Sequence, residues 1–495
     1  MNVRGSDGYF SSFGLGWLPM VLWIGVDDTD SLQGMCTTFL ATELVSELTD
    51  DYDLIGYPRL VRLNPNIPWK TRGNGAISIR VGKGRGAIQT LGGIRGRPVR
   101  SHLRGDSPSD VTEVVERVAR CVERLSRFDD PTTNPAFVVL NKPAAPSLYW
   151  KAVRGVVGQR TALAAVRGKA TIRRYKSGRG VIGACAATAW RPRDRTYEVL
   201  TYRHPDRWGT ERWIDRDSVI QMDRRFPSTF NNYDYENDRV VIAPHSPCPV
   251  LFGIRGDDPS ELPAAMATVK GEVPDRWLIF ETNQGTDDHV SPHSAPQVGT
   301  TVRIHGNVRL SPRVLPGGHV VLRIGDMDAT AYEPSKQFRT LVKALGVGDR
   351  VQAIGAVRKL PWTLNIEKLN VVSLALVQKK VGNPWCARCL RRAKSMGHER
   401  GYRCPGCRAR FPTSAGTFVR VERKLEPGWY EPPVGSRRHL SKPLKRMRRE
   451  EAEALAASSR AGERPRLVRR DLVGLRDLGL GTAARSARRL SRPAP

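Results

Sequence analysis

Three aspartates fall within four positions of "VDDTDS": Asp27, Asp28 and Asp30. Carboxylates that close repel one another and need an offsetting charge. A hard divalent cation takes carboxylate oxygens and leaves room for phosphates, so the pattern predicts magnesium on Asp27 and Asp30. Turn and cap chemistry is the other reading, and it explains two of the three acids more easily than all three. Two glycine-rich cationic loops complement the acids. "KTRGNGA" sets Lys70 and Arg72 before Gly73, Asn74 and Gly75; "KSGRGVIGA" sets Lys176 and Arg179 among Gly178, Gly180 and Gly183. Glycine lets backbone N–H groups approach an anion, and the cations neutralise it. Alone, each loop reads equally well as a cationic surface turn. Together with the acids they predict a nucleotide–magnesium site. A third set is Cys386, Cys389, Cys404 and Cys407, two CxxC pairs with fourteen residues between them. Four thiolates at that spacing suit tetrahedral zinc, and they leave no open position for catalysis, so the zinc is structural. A redox role for either pair is the weaker alternative.

These residues need elements to position them. "VLWIGV" reads as a fully buried strand. "GMCTTFLATELVSELTD" carries Met35, Leu40, Leu44 and Leu48 at roughly helical spacing. The acids therefore stand at the carboxyl end of a strand and beside a helix start, where α/β proteins bind ligands. Thr37 and Thr38 fall in the first helical turn, to meet phosphate or merely to begin the helix. Arg179 and Gly180 lead into a small-residue helix, a geometry that receives phosphate at a helix amino terminus.

Further along, "RVVIA", "PVLFGIRG" and "WLIFETN" read as strands, with a helix around residues 260–269. This suits a small α/β sandwich, and Asp287, Asp288 and His289 follow its last strand. Residues 299–378 give three strands, a helix and two strands, the order of an OB-fold, a common carrier of nucleic acid or a plain spacer. Around the cysteines stand many arginines with Trp385, Tyr402 and Phe411 interleaved. Cations with aromatics suit phosphates and unstacked bases, although a solvated basic face would look the same.

The bulk numbers agree. A chain of 495 residues predicts about three to four domains. With 40% apolar residues it builds ordinary cores, and a net charge of +31 points to a polyanion, nucleic acid first, unless arginine is simply abundant in the source proteome. Cys36, Cys121, Cys185 and Cys248 are scattered, so the eight cysteines form no disulfide framework and suit a reducing, cytoplasmic setting. "LGWLPMVLWIGV" lacks a small-x-small cleavage site, and no apolar run approaches the roughly 18 to 20 residues of a membrane span. No membrane and no obligate protein partner are expected.

Long motifs carry a family resemblance. "GVDDTDSLQGMCTTFL", "YPRLVRLNPNIPWKTRGNGA", "KSGRGVIGACAA", "YRHPDRWGTERWID", "PSTFNNYD", "PCPVLFGIRG", "EPSKQFR", the cysteine quartet and "RRHLSKPLKRM" resemble, in order over roughly 20–447, the archaeal tRNA 2-agmatinylcytidine synthetases. The resemblance implies ATP-dependent attachment of agmatine to carbon 2 of the wobble cytidine in the minor isoleucine tRNA with a CAU anticodon, so that it decodes AUA instead of AUG. It implies a kinase-like amino-terminal domain that phosphorylates the carbon-2 oxygen, after which the agmatine amine displaces phosphate. It also implies a ferredoxin-like second domain and a phosphorylated threonine, here Thr37.

The expected organisation is multidomain α/β and α+β. Residues 1–19 are an extension, or an artefact of a mis-assigned start. A kinase-like catalytic domain covers 20–194, a ferredoxin-like domain 195–295, an OB-fold β-barrel 296–380, and a zinc ribbon with a tRNA-binding segment 381–445. A basic, disordered tail covers 446–495. The Gly- and Arg-rich stretch 82–110 and the Ala-rich piece near 143–170 depart from the resemblance. Agmatine is dicationic and needs carboxylates; Asp234, Asp238, Asp287 and Asp288, with His289, are candidates by charge type, against the plain reading of solvated loop acids. The rival function is a non-catalytic OB-fold and zinc-ribbon protein gripping RNA or single-stranded DNA. No Gly-rich SGGxDS loop is present for the adenylating chemistry by which bacterial-type enzymes attach lysine to the same base.

Overall fold

The computed structural model describes residues 21–107, 110–293 and 295–450. The expected extension and nearly all of the expected basic tail lie outside them. The chain forms two compact units. The first takes residues up to Arg303, Ile354–Trp362 and the segment from Glu431 onward; the second takes Ile304–Ala353 and Thr363–Tyr430.

In the first unit, β1 (Leu22–Asp27) is the apolar run before the acids, and Leu22, Ile24 and Val26 are buried to 1% exposure or less. α1 (Thr37–Leu48) follows, with Leu40, Leu44 and Leu48 buried, as a helical stripe requires. Next come β2 (Asp53–Ile55), β3 (Arg59–Arg62), the long β4 (Gly75–Ile94) and β5 (Arg97–Asp106). The Gly- and Arg-rich stretch is thus the β4–β5 hairpin, with Arg85 facing Arg104 across the ladder. Then follow α2 (Val111–Leu125), β6 (Ala136–Leu140), α3 (Pro146–Arg154), α4 (Gln159–Val166), β7 (Ala170–Arg174) and α5 (Val181–Ala189).

The same sheet continues into the next segment. β8 (Thr196–Tyr202), α6 (Arg216–Arg225), β9 (Thr229–Phe230), the short pair β10 (Tyr233–Asp234) and β11 (Arg239–Val240), β12 (Val250–Gly256), α7 (Leu262–Thr268) and β13 (Arg276–Thr282) complete it. The strand order is β7-β6-β1-β4-β3-β13-β8-β12-β9, with β2 and β5 joined beside β4. β13 carries the junction: it pairs with β8, with the end of β4, and in parallel with β3. One sheet therefore runs through both of the first two segments that the sequence divides. "RVVIA" yields only the two-residue β11, because its neighbours turn away to form loop 243–248.

Further along the chain, β14 (Thr301–Val314), β15 (Val320–Ile324), β16 (Met327–Ala331), α8 (Gln337–Lys343), β17 (Arg350–Arg358) and β18 (Thr363–Ser373) appear in the expected order. The strands pair as β16-β15-β14-β17-β18, and β16 pairs again with β18, which closes a five-stranded barrel. Short strands then hold the two cysteine knuckles.

Candidate active site

β1 and α5 approach each other through glycine. A Cβ on Gly25 would lie 2.2 Å from the Ala184 carbonyl oxygen, so the small-residue helix lies directly on the strand. A Cβ on Gly183 would fall 1.8 Å from Asp27 Oδ2, and one on Gly180 2.5 Å from the Asp27 carbonyl oxygen. Asp27 is thereby fixed under the first turn of α5. Asp28 adopts a left-handed backbone, φ 60°, and turns its carboxylate to the Arg179 guanidinium at 3.5 Å. Asp30 accepts from Arg72 Nε at 3.1 Å. Two guanidiniums thus face three carboxylates. Burial first, and then the charges of Asp28 and Asp30, push the Asp27 carboxyl well above its ordinary range. Burial, with Asp30 adding to it and Arg179 opposing it, pushes Asp28 up to about 6. The acidic loop is short of positive charge.

The loop is clamped from behind. Ser31 donates to Asp130 through a short hydrogen bond, and Thr133 Oγ1 donates to the Asp30 carbonyl at 2.7 Å. The Ser31 and Thr132 hydroxyls hold Asp130 down to about 2. Thr37 stands in the first turn of α1 and accepts from Thr29 Oγ1 at 3.1 Å. The helix start carries no side-chain cap and no acid in its first turn, so its amide donors remain for an anion.

These groups line one cleft of about 470 Å³. Asp27, Asp28, Asp30, Thr37, Lys70, Arg72, Gly73, Asn74, Gly75, Arg179 and Gly180 all face it. Lys70 Nζ donates to the Pro65 carbonyl at 2.6 Å, and Arg179 to the Trp69 carbonyl at 3.0 Å. Asn74 holds φ 49° and donates to the Asn64 carbonyl at 2.8 Å, which fixes the turn. Arg72 also reaches the Met35 carbonyl and Ser246 Oγ, joining the acidic loop to the loop after β11.

Six candidates lie elsewhere. Lys176 does not line the cleft; its ammonium donates to the Asp130 carbonyl, behind the acidic loop. Asp234, Asp238, Asp287, Asp288 and His289 do not line it either. Asp234 is 4% exposed and caps Asn237. Asp287 accepts from the Lys442 amide at 2.7 Å, Asp288 from the Tyr149 hydroxyl at 2.5 Å, and His289 is buried. Charge type marked these acids, but partners within the protein occupy them. The sequence reading missed Arg62, Glu198, Arg255, Arg437, Arg438 and His439, which do line the cleft. The last three come from the returning segment after residue 431, hundreds of residues from β1, and only "RRHLSKP" gave a hint of them.

The four cysteines form a separate site. Their sulfurs all lie within 4.8 Å of one another, with Cys386 and Cys407 Sγ 3.5 Å apart. This suits a tetrahedron of Zn–S bonds of about 2.3 Å. The residue after each knuckle is left-handed: Leu390 at φ 46° and Arg408 at φ 61°. Amide hydrogen bonds, chiefly from Cys407, hold the Cys404 thiol down to about 7, while the neighbouring Cys407 and Cys404 push Cys389 up to about 11, as thiols crowded together do. Nearby, Arg392 lies over the Trp385 ring at 5.4 Å and Lys380 over Tyr402 at 4.3 Å. Among the described residues no other group of His, Cys, Asp or Glu gathers its ligand atoms so closely, so Asp27, Asp28 and Asp30 do not form a closed cage.

Three family models match: the TiaS TCKD domain over residues 23–178, the TiaS FLD domain over 178–289 and the TiaS C-terminal zinc ribbon domain over 383–425. The isoleucine-tRNA 2-agmatinylcytidine synthetase TiaS of Archaeoglobus fulgidus is 41% identical over 444 residues, covering 86% of this chain and 98% of that protein. The Methanocaldococcus jannaschii protein of the same name is 38% identical, with the same coverage. The fold is similar to the crystal structure of TiaS in complex with its isoleucine tRNA and ATP, at TM-score 0.75 and 39% identity over 86% of this chain and 98% of that one. It is also similar to the complex of TiaS with the same tRNA, AMPCPP and agmatine, at TM-score 0.72 and 36% identity with the same coverage. With nearly the whole length of these relatives spanned, acidic loop and zinc knuckles included, the chain belongs to the family of isoleucine-tRNA 2-agmatinylcytidine synthetases, TiaS.

Proposed function

We propose that this protein uses ATP to join agmatine to carbon 2 of the wobble cytidine of the minor isoleucine tRNA, converting an AUG-reading anticodon into an AUA-reading one. The observation that carries this reading is the single cleft in which an undercharged acidic loop meets Lys70, Arg72 and Arg179, in a chain of this family. In this reading the first segment is a kinase-like domain, the second ferredoxin-like, and the barrel an OB-fold. Lys70, Arg72 and Arg179 hold ATP phosphates with the Gly73–Gly75 turn and Gly180, and they offset charge that grows in phosphoryl transfer. Asp27 and Asp30 would hold magnesium beside Asp28; the raised carboxyls of this loop fit a dication, which supplies the positive charge that the arginines leave short. Thr37, at the start of α1 and lining the cleft, is in this reading the hydroxyl that accepts a phosphoryl group.

The cytidine carbon-2 oxygen takes a phosphoryl group from ATP; the agmatine amine, having given up its ammonium proton, then bonds through nitrogen to carbon 2, the phosphate leaves with the C–O bonding pair, and the nitrogen releases a second proton to solvent. Agmatine's cationic ends need carboxylates, and Asp28 is the acid of the cleft's loop that is not assigned to magnesium. Zinc, bound by Cys386, Cys389, Cys404 and Cys407, shapes a basic, aromatic surface for the tRNA. The work is cytoplasmic, where tRNA, ATP and agmatine meet. Mass spectrometry of the minor isoleucine tRNA after incubation with the protein, ATP, magnesium and agmatine tests the reading. An agmatine-dependent mass gain on the wobble cytidine is expected. Tight tRNA binding with no gain would favour a non-catalytic RNA-binding protein instead.

A further inference from the structure

One part of the cleft wall has no role in that scheme. Arg62 ends β3 and lays its guanidinium on Gly73: a Cβ there would lie 2.5 Å from a terminal nitrogen of Arg62 and 3.4 Å from the His439 ring. A Cβ on Gly75 would stand 3.0 Å from the same nitrogen. The two glycines thus make space for the arginine. Its Nε–H is buried without a partner. Such a donor is costly to leave unmet, more so on a charged group. Arg255, on β12, donates Nε to Glu198 at 2.9 Å, and Glu198 also accepts from Gln284 at 2.5 Å. Arg438, on the returning segment, lines the same wall and is anchored on the Pro65 carbonyl at 3.4 Å.

Arg62, Arg255 and Arg438 thus line the cleft beside Glu198. Burial, and the closeness of Arg255, lower Arg62 from its ordinary range in spite of Glu198. Desolvation in the cleft, and then the charges of Arg62, Arg255 and Arg438, push the His439 imidazole well below its usual range. His439 is nonetheless open to the cleft. Arginines gathered on one side of a cleft favour an anion there.

We propose that Arg62, Arg255, Arg438 and His439 form a second oxyanion subsite of the cleft, which takes a phosphate group. The planar forks of the arginines match phosphate oxygens in pairs, which a lysine would not. Its residues are none of those that hold the nucleotide phosphates in the reading above, on which this inference rests. Two sources offer this chemistry: a phosphodiester of the tRNA next to the wobble nucleotide, and a phosphoryl group of ATP.

The test is Arg62→Gln in the full chain, beside Arg62→Lys, with dissociation constants measured for ATP alone and for an unmodified transcript of the minor isoleucine tRNA across a salt series. A tRNA affinity at least about 10-fold weaker, with the salt slope reduced by about one phosphate contact, identifies the RNA diester. An ATP affinity weakened to the same degree identifies the nucleotide. Arg62→Lys restores only part of either loss. Both constants unchanged within about twofold, in a variant with the wild-type melting temperature, would overturn the subsite. Should Arg62→Gln fail to fold, Arg438→Gln on the returning segment gives the same readings. Absence of any agmatine-dependent mass gain with the wild type would sink the proposed reaction while leaving these binding constants to decide the subsite.

Discussion

Asp27 Oδ2 occupies the space that a methyl group on Gly183 would need, 1.8 Å from an ideal Cβ. The acidic loop is thus seated by the absence of a side chain on the facing helix. Gly183→Ala must push the carboxylate, or the start of α5, away. ATP consumption should fall at least about 100-fold, because misplacement on the scale of an ångström costs about that much. Stability should fall by about 1–3 kcal/mol as an overpacked site does. Wild-type ATP turnover in this variant would show that Asp27 has no part in nucleotide chemistry.

Asp28 carries a pH prediction. Its folded pKa, about 6, lies above the ordinary 3.8. Between those values the folded protein binds more protons than the unfolded chain, so this group's contribution to stability falls as pH rises from about 4 to 6 and is level above that. A dication needs the carboxylate, so its binding has the opposite trend. Calorimetric titration of magnesium–ATP should give weaker affinity at pH 5.5 than at pH 7.5, with protons released on binding. Equal affinity and no proton release would remove Asp28 from the site.

Asp130 lies 99 residues from Ser31 in sequence, yet takes its hydroxyl and holds the acidic loop from below. Its depressed pKa, about 2, means that it stabilises the fold above its ordinary value and loses this contribution as pH falls toward 2. Asp130→Ala should cost about 1–3 kcal/mol in denaturant unfolding, by leaving Ser31 and Thr132 unpartnered. It should also slow ATP consumption without changing tRNA affinity. A variant as stable as the wild type would refute the clamp.

The zinc site makes a separable prediction. Cys404→Ser should remove bound zinc, measured by elemental analysis, and weaken tRNA affinity. ATP binding in the first unit should stay unchanged, since the four sulfurs lie in the second unit. Zinc retained at one ion per chain would rule out the quartet.

How much of this was readable from sequence depends on distance along the chain. The acidic loop, its strand and helix, the barrel order and the knuckles were legible because their signals are local: apolar period, turn residues and cysteine spacing. The Asp287–His289 cluster misled because charge type says nothing about partners, and Tyr149 and Lys442 stand 139 and 155 residues from the acids they engage. Gly25, Gly183 and Asp130 were illegible for the same reason. Their roles exist only once α5 and the 130s loop lie against β1. The continuous sheet was hidden too, since β13 joins β3 across 222 residues, the separation spanned by the Arg59–Glu281 ion pair.

The returning segment supplies the last prediction. Arg446 is 5% exposed and meets Asp194 at 2.9 Å, Asp257 at 2.6 Å and the Gly285 carbonyl, with its guanidinium 5.8 Å from the Phe230 ring. Lys442 adds a second contact to Asp194, at 2.7 Å. These pairs fasten the stretch that carries Arg437, Arg438 and His439 into the cleft wall. Removing one member of a buried charge network leaves the others uncompensated, so Arg446→Ala should cost about 3–5 kcal/mol in unfolding. The two acids would then stand near Lys442 and Arg449 alone. Arg446→Lys keeps the charge but loses the fork, and should recover only part of the stability. If the segment completes the cleft, product formation should fall in step with its detachment, read as protease cleavage between residues 431 and 446. An Arg446→Ala protein with wild-type stability and wild-type product formation would show that the segment is an ornament of the fold rather than a wall of the site.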